Sequence, residues 1–165
     1  MRDDGRAFLC DILACHAPTG DEQELQRMLR GRAESFADEI VPDSHGNLAV
    51  VVNPDAPLRV MLAGHCDRIG FLVMQISEGG FVKVDALGGV DEATLPGARV
   101  RIRGRDGFVD GVFGKTAVHN EGADEQTRIS KLDTLWIDVG AGSREEAERL
   151  VAVGDYAAFH PSVVS

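Results

Sequence analysis

The chain has 165 residues, room for one ordinary domain or for a small domain with part of another. Hydrophobic residues make up 44% and charged residues 27%, the balance of a globular protein, and aromatics are so few that Val, Leu, Ile and Ala must build the core. A net charge of −10 repels phosphate backbones and anionic lipid surfaces, so neither nucleic acid nor a membrane is expected as a partner.

Three cysteines, Cys10, Cys15 and Cys66, form no paired pattern and no C-x-x-C, which argues against a disulfide framework and a structural zinc knot. The start, Met1-Arg2-Asp3-Asp4, lacks the apolar stretch of a secretory signal, and no apolar run is long enough to cross a bilayer. A reducing, cytoplasmic compartment is the expectation.

Phe8, Leu9, Ile12 and Leu13 recur at helical spacing, which predicts a helix over residues 5–15. Ala17-Pro18-Thr19-Gly20 ends it. Thr19 and Glu22 have capping-box spacing and open a second helix, with Leu25, Met28, Leu29 and Phe36 on one face. Asp43-Ser44-His45-Gly46-Asn47 is a turn cluster separating Ile40-Val41 from Leu48 to Val52. After Asn53-Pro54-Asp55, the run Leu58 to Ala63 is apolar apart from Arg59. It reads as a strand buried on both faces, and it implies that something else covers it.

From residue 68 the texture changes to short strands between glycines. They are expected at Ile69 to Ile76, Phe81 to Ala86, Arg99 to Arg103 and Phe108 to Phe113. In Arg99-Val100-Arg101-Ile102-Arg103 the cations alternate with apolar residues and form a solvated or inter-subunit face. Residues 114–131 read as a long polar loop. Leu135 to Val139 is a strand, Ser143 and Glu146 cap a short acidic helix through Leu150, and Tyr156 to Phe159 is the last strand. The pattern is a mixed α+β chain: a partial α/β sheet followed, after a boundary near residue 67, by a small antiparallel β-barrel.

The chemistry gathers at Gly64-His65-Cys66-Asp67, just after the apolar run, where open α/β sheets place their sites. His65 is a candidate metal ligand and Asp67 a carboxylate able to hold its ring. On spacing alone, a polar strand-end pair making turn hydrogen bonds is the better reading. Cys66 reads as a buried structural thiol, His16 and His45 as solvated, and His119 and His160 as lacking partners at ligand spacing. Glu145-Glu146 sits at a helix start, where carboxylates favour the positive end of the dipole.

Several ordered segments, quoted together, change the balance. His65-Cys66-Asp67-Arg68-Ile69-Gly70-Phe71-Leu72-Val73 resembles the H-M-D-E-I-G-F-M-V segment of the M42 peptidases. Pro18-Thr19-Gly20-Asp21-Glu22 is similar to that family's P-S-G-x-E helix start, and Asp43 to Leu48 to its D-x-x-G-N-L hairpin. Leu87-Gly88-Gly89-Val90, the Gly111 to Lys115 segment with His119, and Ile137 to Ala147 resemble further family segments in the same order. The resemblance implies a cytoplasmic metallo-aminopeptidase acting on peptides, with two zinc or cobalt ions in its complete site. It makes His65 a metal ligand and Asp67 a catalytic-site residue. It also implies that residues 1–67 are the N-terminal part of a peptidase domain. Residues 68–159 become an inserted β-barrel of the PDZ-like, dimerisation type, and residues 160–165 a return segment. Homo-oligomers, or complexes with other peptidase chains, are the implied assemblies.

The departures are as informative. The family's bridging aspartate, its Glu-Glu pair, a further acidic ligand and its last histidine have no counterpart within these residues. One histidine does not hold zinc, so stable metal binding and activity are not expected of this chain alone. Arg68 stands where the family has glutamate, and the loop Lys115-Thr116-Ala117-Val118-His119 lacks the paired prolines. A second expectation is therefore a non-catalytic assembly or regulatory subunit docking on a full-length peptidase. A free-standing peptide-binding barrel is weaker, because it leaves residues 1–67 without a role.

Overall fold

The computed structural model describes residues 3–117 and 129–161. The chain divides into two compact units that meet in sequence between Asp67 and Arg68 and again between His160 and Pro161.

The first unit opens with helix α1 (Asp3–Ala14), none of whose residues is buried. Its apolar face is lightly covered: Leu9 and Leu13 are exposed, while the Arg32 guanidinium lies 5.5 Å from the Phe8 ring centre and pairs with Asp4 at 3.0 Å. Helix α2 (Gln23–Ala33) buries Leu25 and Ala33. The expected face extended to Phe36, but the helix stops at Ala33. The N–H groups of Phe36 and Ala37 both turn back to the Ala33 carbonyl, leaving the Phe36 ring exposed. Cys15, Ala17 and Leu25 form a small core, with Ile12, Met28, Leu29 and Cys66 packed against it.

Strands β1 (Glu39–Pro42) and β2 (Leu48–Val51) form an antiparallel hairpin, Pro42 opposite Leu48. Asp43 builds the turn. Its carboxylate accepts from the N–H groups of His45 and Asn47 and from the Asn47 amide. These bonds, the Asn47 side chain first, hold the Asp43 carboxyl below its ordinary range.

The run Leu58 to Ala63 departs from expectation. It forms no ladder, and Leu58, Val60, Met61 and Leu62 are between 76% and 94% exposed. A strand buried on both faces needs neighbours along its edges and layers above and below. The described residues of this unit supply neither, so the sheet expected here is a hairpin and an extended apolar segment.

The second unit is a closed antiparallel barrel in the order β3-β4-β7-β6-β5-β8. Its strands are β3 (Gly70–Ile76), β4 (Val82–Leu87), β5 (Arg99–Gly104), β6 (Gly107–Gly114), β7 (Trp136–Asp138) and β8 (Tyr156–Phe159). Closure comes from β8, which pairs with β3 on one side and β5 on the other. Alternation fills the interior: Phe71, Val73, Val82, Val100, Ile102, Phe113, Ile137 and Ala157 are buried in one cluster. A register shift between Val73 and Gln75 on β3 leaves two successive residues, Met74 and Gln75, exposed and returns Ile76 to the interior.

Helix α3 (Arg144–Leu150) starts as the capping spacing requires. The Ser143 hydroxyl accepts from the Glu146 N–H, and the Glu146 carboxylate accepts from the Gly142 N–H. The arginines of β5 are more engaged than a solvated face would be. The Arg101 and Arg103 guanidiniums lie 5.3 and 5.0 Å from the centre of the Phe108 ring, and Arg101 also meets Asp110 at 3.3 Å.

Candidate functional site

The segment Gly64-His65-Cys66-Asp67 ends the first unit. Two bonds from the region around α2 hold it. Thr19, four residues before the helix, donates its hydroxyl to Oδ2 of Asp67 at 2.7 Å. Gln26, on the first turn of the helix, donates its amide to the Cys66 sulfur at 3.3 Å. The other oxygen of Asp67, Oδ1, meets Nδ1 of His65 at 2.9 Å. One carboxylate thus bridges a hydroxyl and an imidazole.

The loop that carries Thr19 is fixed by local contacts. Ala17 and Pro18 are buried, and the Asp21 N–H donates to the Pro18 carbonyl at 2.9 Å, closing a four-residue turn. Gly20 has φ +96°, the positive value that the third position of a type II turn requires. The Gly20 N–H also donates to the Glu22 carboxylate. The expected capping box does not form: α2 has Glu22 at its N-cap with no side-chain cap bond, and the Thr19 hydroxyl goes to Asp67 instead.

Charge follows geometry. The bond from Thr19, and then the one from His65, hold the Asp67 carboxyl below its ordinary range. Asp67 in turn raises the His65 imidazole above its ordinary value. The His65 side chain is 86% exposed, and with Nδ1 taken by Asp67, Nε2 is the nitrogen it can offer to a ligand. A carboxylate on the inner nitrogen fixes the tautomer and increases the basicity of the outer one, the arrangement found behind metal-binding histidines.

The other sequence candidates fall elsewhere. Cys66 is half-buried, and its thiol is pushed up by burial and then by the negative charges of Glu22 and Asp67. That is the wrong direction for a nucleophile. His16, expected to be solvated, is buried, with Nε2 3.7 Å from Asp21. His45 is exposed on its turn, as expected. His160 sits against the Arg101 guanidinium at 2.9 Å and Asp110 at 3.7 Å, engaged in a charged cluster on the barrel. Glu145 and Glu146 lie at the start of α3, as their dipole reading required. Val118, His119 and residues 162–165 of the return segment lie outside the described residues.

Thr19 is the site residue that sequence reasoning assigned to another task. Its signal was present, a Thr in a Pro-Thr-Gly turn, but the capping spacing to Glu22 accounted for it locally. The partner lies 48 residues away.

Zinc in a catalytic site takes three protein ligands. Among the described residues, no three His, Cys, Asp or Glu side chains come together to hold a metal ion. His65 fits the part of one ligand, and the described residues do not complete a site around it.

The family profile of the M42 glutamyl aminopeptidases matches residues 46–165. A putative aminopeptidase of Acetivibrio thermocellus is 36% identical over 141 residues, covering 86% of this chain and 40% of the relative. The TET aminopeptidase from the marine sediment archaeon Thaumarchaeota archaeon SCGC AB-539-E09 superposes with a TM-score of 0.93 at 32% identity. That match covers 99% of this chain and 47% of the archaeal one. The TET1 peptidase of Pyrococcus horikoshii, which can assemble into a tetrahedron or a large octahedral shell, matches with a TM-score of 0.82 at 29% identity, over 93% of this chain and 46% of its own. The chain therefore spans less than half the length of each of these relatives, and it belongs to the M42 glutamyl aminopeptidase family.

Proposed function

We propose that this chain is the N-terminal portion of a metallo-aminopeptidase that removes N-terminal residues from peptides. His65 is a metal ligand in that reading, and Asp67 is the carboxylate that orients it in the catalytic site. The observation that carries the reading is the contact of Asp67 with Nδ1 of His65 at 2.9 Å, which leaves Nε2 of an exposed ring for a cation. It lies within the segment matched by the family profile.

Zinc or cobalt, two ions in the complete site, is the cofactor this reading requires. The described residues hold one ligand of that set, so no step of hydrolysis is assigned to this chain alone. Residues 68–159 are read as the inserted barrel and 160–165 as the return toward the peptidase domain. The assembly is a homo-oligomer or a complex with other peptidase chains, in the cytoplasm. The shell-forming relative from Pyrococcus horikoshii supports the first.

The test is hydrolysis of a panel of aminoacyl-p-nitroanilides by the purified chain, with zinc or cobalt added and a chelator control. No turnover is expected from the chain by itself. Chelator-sensitive turnover would show that a complete site forms within these residues and would overturn the assignment of missing ligands.

A second reading, a non-catalytic assembly or regulatory subunit, is favoured by one observation: four large apolar side chains between Leu58 and Leu62 stand exposed. A contiguous apolar stretch of this kind marks a surface that further polypeptide covers, either a partner chain or more of a longer peptidase chain, and this reading takes the partner. Under this reading the chain binds a full-length relative in size-exclusion chromatography. A strict monomer that never co-elutes would count against it.

A further inference from the structure

From the geometry around Asp67 we infer that Thr19 is a positioning residue for His65. Its hydroxyl pins Oδ2 of Asp67 and thereby aims Oδ1 at Nδ1 of the imidazole. The inference rests on the reading of His65 as a metal ligand, and it adds a residue to that site from a loop far off in sequence.

An aspartate on an exposed segment rotates about χ2 with little resistance, because that torsion is broad. A single bond to His65, whose ring is itself 86% exposed, fixes neither partner. A second bond at 2.7 Å to the other carboxylate oxygen removes the rotation. The donor must be held for this to work, and the turn holds Thr19. It lies between buried Pro18 and Gly20, inside a turn closed by the bond from the Asp21 N–H to the Pro18 carbonyl. A neutral hydroxyl donates without placing a competing positive charge beside Asp67, so the carboxylate keeps its full charge for the imidazole. The result is a three-member chain, Thr19 to Asp67 to His65, whose function is to hold the proton of the neutral imidazole on Nδ1 and present the lone pair of Nε2 outward.

A loop-pinning role alone would also use the Thr19–Asp67 bond, so the test reads the imidazole itself. Nitrogen-15 spectra of the histidine-labelled chain at mildly alkaline pH report which ring nitrogen carries the proton, with His65 assigned from a His65→Gln variant. Free neutral imidazole favours the proton on Nε2, so the Asp67 contact should reverse that preference. The wild-type chain and Thr19→Ser are expected to show His65 mainly protonated on Nδ1. Thr19→Val should move it to mainly Nε2-protonated. Gln26→Ala, which removes the other bond to the segment, should leave the tautomer as in the wild type. An unchanged tautomer in a folded Thr19→Val chain would overturn the inference. So would a shift in Gln26→Ala as large as that in Thr19→Val, since general loosening would then explain both. Should the valine variant fail to fold, Thr19→Ala is read in the same way. The readout needs no metal and no peptide, so it stands or falls separately from the peptidase assay.

Discussion

The α-carbon of Gly104 faces the backbone carbonyl oxygen of Leu150 so closely that no methyl group fits between them. The first residue ends β5 and the second ends α3, so this contact sets how near the helix end lies to the barrel wall. Because the obstacle is main chain, it cannot swing aside as a side chain would. Gly104→Ala is expected to lower the unfolding free energy by about 1–3 kcal/mol, read from the urea midpoint. A change within the scatter of ordinary surface substitutions, about 0.5 kcal/mol, would show that the helix end moves freely.

Phe71 is the centre of the barrel interior. Its ring meets Phe113 at 5.0 Å and Phe159 at 5.4 Å, both edge-on, and it is fully buried. Truncation removes both aromatic contacts and leaves a cavity. Phe71→Ala is expected to cost about 3–5 kcal/mol, and Phe71→Leu less, since much of the volume is kept. Denaturant unfolding followed by Trp136 fluorescence measures it, because Trp136 belongs to the same barrel.

The Ser143 hydroxyl is the cap of α3, so Ser143→Ala should cost about 1 kcal/mol, while Ser143→Asp should be nearly neutral. Thermal melting of the two variants side by side gives the comparison. An unchanged melting temperature in Ser143→Ala would show that the hydroxyl bond to the Glu146 N–H contributes nothing.

The His65–Asp67 pair has a definite pH signature. The imidazole is raised on folding, so its contribution is present below the unfolded value and is lost as pH climbs through the folded one. The carboxyl is lowered, so its contribution is present above its unfolded value and is lost as pH falls through the folded one. Both are present together between the two unfolded values, about pH 4 to 6.5. In Asp67→Asn the His65 midpoint, followed by NMR, should fall back toward the ordinary histidine value. A midpoint identical in both chains would remove Asp67 as the cause of the shift.

Met61 and Leu62 are 88% and 94% exposed, so charged replacements cost the fold of this chain little. Leu62→Lys should change stability by no more than about 0.5 kcal/mol. It should reduce self-association, or binding to a longer peptidase chain, in size-exclusion chromatography with light scattering. Unchanged association would move the docking surface elsewhere.

Much of the barrel is legible in the sequence because its determinants are local. Alternation in Arg99 to Arg103 marks inward Val100 and Ile102, and the glycine-bounded turns delimit strands within a residue or two. Closure is not local: nothing in Tyr156 to Phe159 says that it pairs with β3 and β5 at once. The run Leu58 to Ala63 departs from its expected strand for a related reason. Its composition specifies a buried strand, but burial depends on neighbours, and the described residues of the unit do not provide them. His16 looked like a turn histidine and is buried against Asp21, because Cys15 and Ala17 on either side belong to the small core. At the site, the sequence displayed His65 and Asp67 two positions apart. The third member, Thr19, was concealed by a capping pattern that satisfied a nearer explanation.

The pairing of β8 with β3 has a mechanical consequence. Phe71 lies opposite Ala157 and Leu72 opposite Tyr156, so the two strands run antiparallel with Gly70 and Phe159 at the same end. Tension applied through the chain at those two points would not slide the strands past each other with every bond sharing the load. It would peel them apart from one end, breaking one rung after another. A barrel with a tightly packed interior is therefore weak along this particular direction of pull.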